Sequence, residues 1–357
     1  MKTAMPFVRG TVSALVPLAV ILGVVAYGGR HSAHAQSLAY TSGQVVVPAF
    51  EGWEEDADGS KYFLFGYMNR NWEEELDLPV GPDNNFDVGG PDLGQPTHFL
   101  PRRNRFVFRV RVPQGFTEKS ELVWTLTSKG KTEKAFASLR LDYKVDDVVK
   151  ASETGALGAG TSSPTVRSNK PPVVTIEGPA TRTAKVGQPL SLVATVTDDG
   201  IPKALTEAQL NDALLARARA ASAATAAATG GSTAATGTNS PPPGAAPAPA
   251  AAAARFNPAL QPPARVTVGK NQGLHLSWYV YRGAGKVTFT PPQIKSWEDT
   301  RAGANSPWAP VWFAPPLPDG KVSAQVTFSE PGTYVLRALA DDGALMMEQH
   351  ITVTVTN

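Results

Sequence analysis

The sequence predicts an all-β protein with two β-sandwich domains, together with a short helix and an Ala/Pro-rich insert. Segments in which apolar and polar residues alternate recur along the chain, and turn residues separate them, which is typical of antiparallel strands. The 357 residues include 31 prolines and 32 glycines, a composition that suits sandwiches joined by loops. The length suggests about two domains. The chain contains no cysteine, which excludes a disulfide framework.

The N-terminal segment, residues 1–35, has the features of a signal peptide. An apolar run at residues 11–29 follows two basic residues, and Ala33-His34-Ala35 then provides a small-x-small cleavage pattern. Cleavage after Ala35 predicts a periplasmic or secreted bacterial protein with no membrane segment in the mature chain. The alternative is an inner-membrane anchor formed by residues 11–29, because about 19 apolar residues just span a bilayer.

The charge distribution is uneven although the formal net charge is only +2. Residues 44–92 hold two Lys or Arg against 12 Asp or Glu, whereas residues 93–150 hold 12 against six. A nucleic-acid-binding protein needs a basic face, and so small a surplus does not indicate one. We therefore expect no nucleic-acid partner.

The first domain is predicted to cover residues 36–150. The aromatic run at residues 61–68 is typical of a strand, and Leu122, Trp124 and Leu126 form the inward face of another. A loop from Pro79 to Pro101 lies between them, and loops of this length are usually functional or mobile.

An arginine ladder is predicted on one face of the strand at residues 103–112. Alternation places the apolar side chains of this strand on the opposite face, namely Phe106, Phe108, Val110 and Val112. The ladder itself consists of Arg103, Arg105, Arg109 and Arg111. Guanidinium groups suit phosphate and carboxylate, so the ladder is a candidate surface for an anionic ligand. The interpretation that we favour needs no ligand, because Glu73, Glu75 and Asp77 have the same period and predict cross-strand ion pairs.

The runs FGYMNRNWEEELDLPVGPDNN and QPTHFLPRRNRFVFRVRVP resemble a domain of uncharacterised exported bacterial proteins. The resemblance implies no activity. Trp53 and Trp72 in this half are candidates for a sugar-stacking platform, although aromatic residues in strands more often belong to the core.

A linker at residues 151–170, rich in Gly, Ser, Thr and Ala, precedes the second domain at residues 171–357. The segments PPVVTIEGP, VGQPLSLVATVTDDG and PGTYVLRALADDG resemble PKD-like and cadherin-like domains of the immunoglobulin-like class. This resemblance implies a β-sandwich with a tyrosine corner before the penultimate strand. It places Trp278 in the core. The alternation at residues 334–340 and 351–355, with Asp342-Gly343 between them, predicts a C-terminal hairpin.

An insert at residues 201–264 interrupts the second domain. Thr206 and Gln209 have capping-box spacing, which predicts a helix to about Ala220. Residues 221–254 consist of Ala, Thr, Asn, Gly, Ser and Pro, and this low-complexity composition predicts disorder because it offers too little apolar surface to offset the entropy of ordering.

A second long loop, residues 291–319, carries Trp297, Trp308 and Trp312 among prolines. These tryptophans are candidates for an exposed carbohydrate- or peptide-binding surface, because aromatic rings give a large contact area at low entropic cost. The alternative is a satellite cluster packed beneath the loop.

Two Asp-Asp-Gly runs are predicted to lie at the same end of the second sandwich. If Asp198, Asp199, Asp341 and Asp342 converge, their oxygens are candidate ligands for calcium, the one cofactor that the sequence suggests. The alternative is that each run serves only its turn, since Asp and Gly favour that geometry.

Catalysis has little support from the sequence. After signal cleavage only His98, His275 and His350 remain, none has metal-ligand or triad spacing, and no motif of a serine hydrolase, a zinc protease or a phosphate loop occurs. The sequence therefore predicts a non-catalytic binding, adhesion or scaffold module of the cell envelope, with an envelope protein or a glycan as possible partner. The competing hypothesis is a polysaccharide-active hydrolase or its accessory carbohydrate-binding protein.

Overall fold

The computed structural model describes residues 42–154, 163–206, 267–297, 314, 317 and 319–357, together with single helical positions between 208 and 219. The predicted signal peptide, the predicted disorder of residues 221–254, and Trp308 and Trp312 lie outside the described residues. Only the backbone of Trp297 is described. No helix among the described residues is long and apolar enough to cross a membrane.

The N-terminal sandwich is built from antiparallel strands. The strands are β1 (Val46–Glu55), β2 (Lys61–Asn69), β3 (Leu76–Asp77), β4 (Asn84–Phe86), β5 (His98–Phe99), β6 (Arg102–Arg111), β7 (Leu122–Ser128) and β8 (Lys131–Ala137). One sheet has the order β1-β2-β6 and the other β4-β7-β8, while β3 pairs with β5. Their inward faces meet in an aromatic core, in which Phe65 packs against Phe108 and Trp124. The predicted inward face of β7 is confirmed, since Leu122, Trp124 and Leu126 are fully buried.

The predicted alternation in β6 is wrong at Phe106. The register between β2 and β6 shifts between Phe65 and Tyr67, and Phe106 has a positive φ of 49°. Val107 therefore takes the core position, and Phe106 lies on the outer face beside Arg109. A β-bulge re-aims side chains in this way, and a strict period of two does not reveal it.

The C-terminal sandwich is formed by two four-stranded sheets. Its strands are β9 (Val173–Ile176), β10 (Thr181–Lys185), β11 (Leu190–Thr197), β12 (Thr267–Gly269), β13 (His275–Arg282), β14 (Val287–Thr290), β15 (Lys295–Trp297), β16 (Lys321–Phe328), β17 (Gly332–Asp341) and β18 (Met346–Thr356). One sheet has the order β9-β11-β16-β14 and the other β10-β18-β17-β13, while β12 pairs with β15.

This strand order is that of an immunoglobulin-like sandwich. Strands β9, β11, β16 and β14 correspond to A, B, E and D, and β13, β17 and β18 correspond to C, F and G. Strand β10 extends the second sheet by pairing in parallel with β18. Trp278 is fully buried on β13, and the Tyr334 hydroxyl donates to Glu330 O at 3.0 Å, as a tyrosine corner does.

The predicted C-terminal hairpin is confirmed. β17 pairs with β18 in antiparallel register, with Tyr334 opposite Val353 and Asp341 opposite Met346. The predicted capping box is also present, because Thr206 N donates to Gln209 Oε1 at 2.9 Å and Gln209 N to Thr206 Oγ1 at 3.4 Å.

The chain between the sandwiches contains helices as well as loop. Helix α1 (Asp147–Thr154) begins before the predicted linker at residues 151–170, and α2 (Pro164–Ser168) begins at the N-cap Ser163. Ala151 and Val166 pack against the β17–β18 turn. The domain boundaries at residues 150 and 171 stay a prediction.

Candidate functional site

The two sandwiches share a buried interface within one compact unit. The Tyr281 side chain is buried against the N-terminal core, and its hydroxyl donates to Gly94 O at 2.6 Å. Arg282 forms a two-pronged ion pair with Asp92, at 2.7 and 3.0 Å, and also donates to Gln95 O at 2.8 Å. The hydrogen bond from the Arg282 side chain holds the pKa of Asp92 below its usual value. The long loop from Pro79 to Pro101 therefore holds the second sandwich in place.

The arginine ladder is paired internally, but with partners that the sequence did not predict. Arg103 pairs with Glu51 at 2.6 Å, and Arg105 contacts Glu153 at 3.3 Å. Arg109 contacts Asp56 at 3.0 Å and Glu54 at 3.3 Å, while Arg111 donates to Ser60 Oγ at 3.3 Å. These partners belong to β1, α1 and the β1–β2 turn, so the expected pairs with Glu75 and Asp77 are wrong.

Gly66 explains how the arginines of β6 reach β1 across the intervening strand β2. A Cβ atom at Gly66 would lie 2.2 Å from Glu51 Oε1 and 2.4 Å from Asn104 O. The missing side chain leaves space for the Glu51 carboxylate, which pairs with Arg103. Burial raises the pKa of Glu51, and the charges of Arg103 and Arg105 oppose that shift.

Glu75 and Asp77 instead bind His98 between them. His98 Nδ1 lies 2.7 Å from Asp77 Oδ1, and Nε2 lies 3.0 Å from Glu75 Oε2. Burial opposes the charged imidazolium, but hydrogen bonds to the two carboxylates outweigh burial and raise the pKa of His98 to about 9. The ring is therefore a cation at neutral pH.

A cleft of about 510 Å³ opens between the outer face of the β1-β2-β6 sheet, α1 and the β17–β18 hairpin. We call it the inter-sandwich cleft. Its apolar lining includes Leu64, Phe106, Leu339, Leu345, Met346 and Met347. Met347 is 43 % exposed. A methionine adapts its shape to different partners, and a cavity of this size is typical of ligand sites.

Phe106 is the strained member of this lining. A bulky residue with positive φ is a genuine outlier, and such strain costs about 1–3 kcal/mol. Here it turns an aromatic side chain out of the core and into the cleft. Strain of this kind is concentrated at binding and catalytic sites, which makes the cleft the candidate functional site.

The ionised side chains of the cleft are paired with one another. Glu54 accepts from both Arg109 and Lys150, and Lys150 also lies 3.4 Å from Asp147. Arg337 pairs with Glu348. Burial raises the pKa of Glu348 above its usual value, although the charge of Arg337 opposes this shift. The cleft therefore presents apolar surface bordered by neutralised charge pairs.

The two Asp-Asp-Gly runs serve their turns. Gly200 N donates to Asp198 Oδ2 at 2.8 Å and Ile201 N to Asp199 Oδ1 at 2.9 Å. Among the described residues, which include all four aspartates, no group of three or more His, Cys, Asp or Glu could hold a metal ion. The predicted calcium site thus lacks the required geometry.

Asp341 and Asp342 are buried for other reasons. Asp341 forms a buried ion pair with Lys270 at 3.0 Å, which lowers its pKa against the effect of burial. Asp342 accepts from Ala344 N, Leu345 N and Asn169 Nδ2, and burial raises its pKa to about 6.

A cluster that the sequence spacing did not reveal surrounds Asp341. Ser296 Oγ lies 3.5 Å from both His275 Nε2 and Asp341 Oδ2. This distance is beyond the normal range of a hydrogen bond, so the geometry does not indicate an activated serine. Burial lowers the pKa of His275, which keeps the ring neutral.

The predicted sugar platform of the N-terminal half is not exposed. Trp53 and Trp72 are 3 % and 5 % exposed, and Trp53 Nε1 donates to Arg140 O at 2.8 Å. Both are core residues covered by cations, with the Arg102 guanidinium 4.2 Å from the Trp72 ring centroid.

Comparisons with known proteins do not place the chain in a family. No family model and no curated protein matches. Among solved structures, the chain is similar to the S-layer protein rSbsC at 7 % identity and a TM-score of 0.20, with 88 % of this chain and 28 % of that chain covered. Sidekick-1 immunoglobulin domains 1–4 match at 10 % identity and a TM-score of 0.20, covering 88 % and 48 %, and the D00-D0 domain of intimin at 7 % and 0.20, covering 87 % and 100 %.

This chain thus spans little more than a quarter of the S-layer chain. At these TM-scores the similarities carry no argument about function. Membership of the PKD-like or cadherin-like group stays a prediction, and the immunoglobulin-like class follows from the strand order.

Proposed function

We propose that the protein is an exported, non-catalytic binding module of the bacterial cell envelope, and that the inter-sandwich cleft is its binding site. The observation that carries this proposal is Phe106, a strained aromatic side chain that a β-bulge turns away from the core and into the cleft. The cleft walls are preorganised, because Arg282, Asp92 and Tyr281 already fix the two sandwiches against each other. Preorganisation lowers the entropic cost of binding.

The charge pattern of the cleft favours a partner without net charge at the contact. The ionised groups Glu54, Arg109, Lys150, Arg337 and Glu348 each have an opposite charge beside them, whereas Phe106, Met346 and Met347 offer apolar surface. Apolar and aromatic anchors supply most of the free energy of protein binding, and charge pairs beside them exclude wrong partners.

Binding to glycan and peptide arrays tests this proposal, with the Phe106→Gly variant as the main comparison. Glycine adopts a positive φ without strain, so the variant should be at least as stable as the wild type while it loses array binding. Phe136→Ser is the matched control, because Phe136 is 53 % exposed on β8 and lies outside the cleft.

Two results would contradict the proposal. If Phe106→Gly binds every array ligand as the wild type does, the cleft is not the binding site. If a broad hydrolase screen detects turnover of any glycan, the non-catalytic assignment fails and the competing hypothesis of a polysaccharide-active enzyme replaces it.

A further inference from the structure

A second groove, of about 360 Å³, lies at the open side of the C-terminal sandwich, where β13 and β14 belong to different sheets. Its lining includes the consecutive residues 278–280 of β13 and 285–289 at and before β14. Neighbouring side chains of a strand point to opposite faces, so a run of consecutive residues lines a groove only along the edge of the strand. The groove therefore follows two strand edges.

The edge of β14 that faces this groove is unpaired. β14 pairs with β16 on one side, and among the described residues no strand lies on its other side. Ser329 N donates to Lys286 O at 3.0 Å, which fixes the alternation of the antiparallel ladder. The N–H and C=O groups of Val287 and Phe289 consequently point away from β16 and towards the groove.

The edge of β13 is covered differently. Trp278 N donates to Gln293 Oε1 at 2.9 Å, so the segment after β14 already caps this edge. The Trp278 side chain itself is fully buried in the core of the sandwich, so the indole is not accessible from the groove.

Lys286 places a positive charge beside the β14 edge. The charge of His98, which also lines the groove, is balanced by Glu75 and Asp77. Lys295 Nζ is buried and donates to Arg103 O at 3.0 Å, which ties the segment after β14 to the N-terminal sandwich. His98, Leu100 and Pro101 of the N-terminal sandwich form one wall of the groove, so the groove exists only with both sandwiches in place.

We propose that this groove binds an extended peptide segment of a partner protein, which adds as a strand to the free edge of β14. Unpaired backbone groups of an edge strand are a template for another strand, and the backbone supplies affinity while pockets select alternate side chains. The charge of Lys286 beside this edge favours an acidic residue at one end of the segment. This inference builds on the proposed binding function, but it concerns a different surface.

Amide hydrogen exchange of the full chain, followed by NMR, tests the proposal. The probe is a capped nine-residue peptide of alternating valine and threonine with glutamate at both ends. Without peptide, the amides of Val287 and Phe289 should exchange faster than the amide of Thr288, which faces β16. With saturating peptide, the exchange of Val287 and Phe289 should slow at least about tenfold, as expected for newly bonded edge amides.

Two controls separate strand addition from other binding. A peptide that carries N-methyl groups on alternate amides keeps the side chains but loses one edge of hydrogen bonds, and it should not protect Val287 or Phe289. Lys286→Glu should weaken binding of the glutamate peptide about three- to tenfold, in keeping with a partly exposed charge pair. The matched control Lys131→Glu, an exposed lysine on β8, should leave the affinity unchanged.

The proposal is overturned if the peptide does not bind at millimolar concentration, if it binds without protecting these two amides, or if the amides are already protected in the free protein. Failure of this strand-addition proposal can be told apart from failure of the proposal that the inter-sandwich cleft is a binding site. Phe106→Gly should bind the probe peptide as the wild type does, because Phe106 does not line this groove.

Discussion

His98 should make the protein lose stability between about pH 6.5 and pH 9. In the folded protein two carboxylates raise the pKa of His98 to about 9, whereas the unfolded chain has the ordinary value of 6.5. Below pH 6.5 both states carry the proton, and the stabilising effect of the pair is fully present. As the pH rises towards 9 the unfolded state loses its proton first, and the stabilisation is lost progressively.

The magnitude follows from the shift and from the exposure of the three side chains. A shift of this size corresponds to an upper limit of about 3 kcal/mol, because one pKa unit is equivalent to about 1.4 kcal/mol. The His98 side chain is 11 % exposed, but Glu75 and Asp77 are 42 % and 38 % exposed. Solvent screens such carboxylates, so we expect about 1–2 kcal/mol.

Urea unfolding at pH 6 and pH 9.5, monitored by tryptophan fluorescence, measures the effect. The free energy of unfolding of the wild type should fall across this range by about 1–2 kcal/mol more than that of His98→Gln, whose side chain does not titrate. Equal pH dependence in the two proteins, or a wild-type stability that rises with pH relative to the variant, would refute the reasoning. An NMR titration of the His98 ring provides an independent check of the pKa.

Three further changes should alter stability in ways that unfolding measurements resolve. Gly66→Ala should destabilise the protein by about 2–4 kcal/mol, since the new methyl group meets the backbone at Asn104 O; an unchanged urea midpoint would contradict this. Arg282→Ala should cost about 1–3 kcal/mol and separate the calorimetric transitions of the two sandwiches, because Asp92 loses its partner; a single unshifted transition would contradict it. Burial and nearby arginines lower the pKa of His350 to about 4, so stability should fall as the pH drops from 6.5 towards 4, and His350→Gln should reduce that fall; an equal fall in both proteins would exclude His350 as the cause.

Segments governed by local pattern could be predicted from the sequence, and segments governed by distant contacts could not. The strands β9 (Val173–Ile176) and β11 (Leu190–Thr197) lie within the segments PPVVTIEGP and VGQPLSLVATVTDDG, because alternation and flanking turns are local signals. The strand β10 was missed, since Thr181–Lys185 has only one apolar residue and is ordered by its parallel pairing with β18.

The candidate site was the least predictable part. The arginine ladder could be predicted from its period, but the choice of Glu51 over Glu75 as a partner depends on which strand neighbours β2 and on the space above Gly66. The position of Phe106 depends on a bulge that only the pairing with β2 reveals. Such three-dimensional information arises from pairs of residues far apart in the chain.

Arg337 shows how the two sandwiches depend on each other. Arg337 alternates along β17 with the core residues Leu336 and Ala338, which places its side chain on the outer face of the sheet. The side chain is nevertheless only 9 % exposed. The outer face of the β10-β18-β17-β13 sheet is covered by the N-terminal sandwich, so Arg337 needs Glu348 as a partner inside the protein. The edge of this sheet at β13 is held against the first sandwich by Tyr281 and Arg282. The inter-sandwich cleft and the β14 groove both contain residues of the two sandwiches, and their shapes therefore depend on this same interface. A variant that loosens Arg282 should weaken binding at both surfaces together, whereas Phe106→Gly and Lys286→Glu should each affect one surface alone.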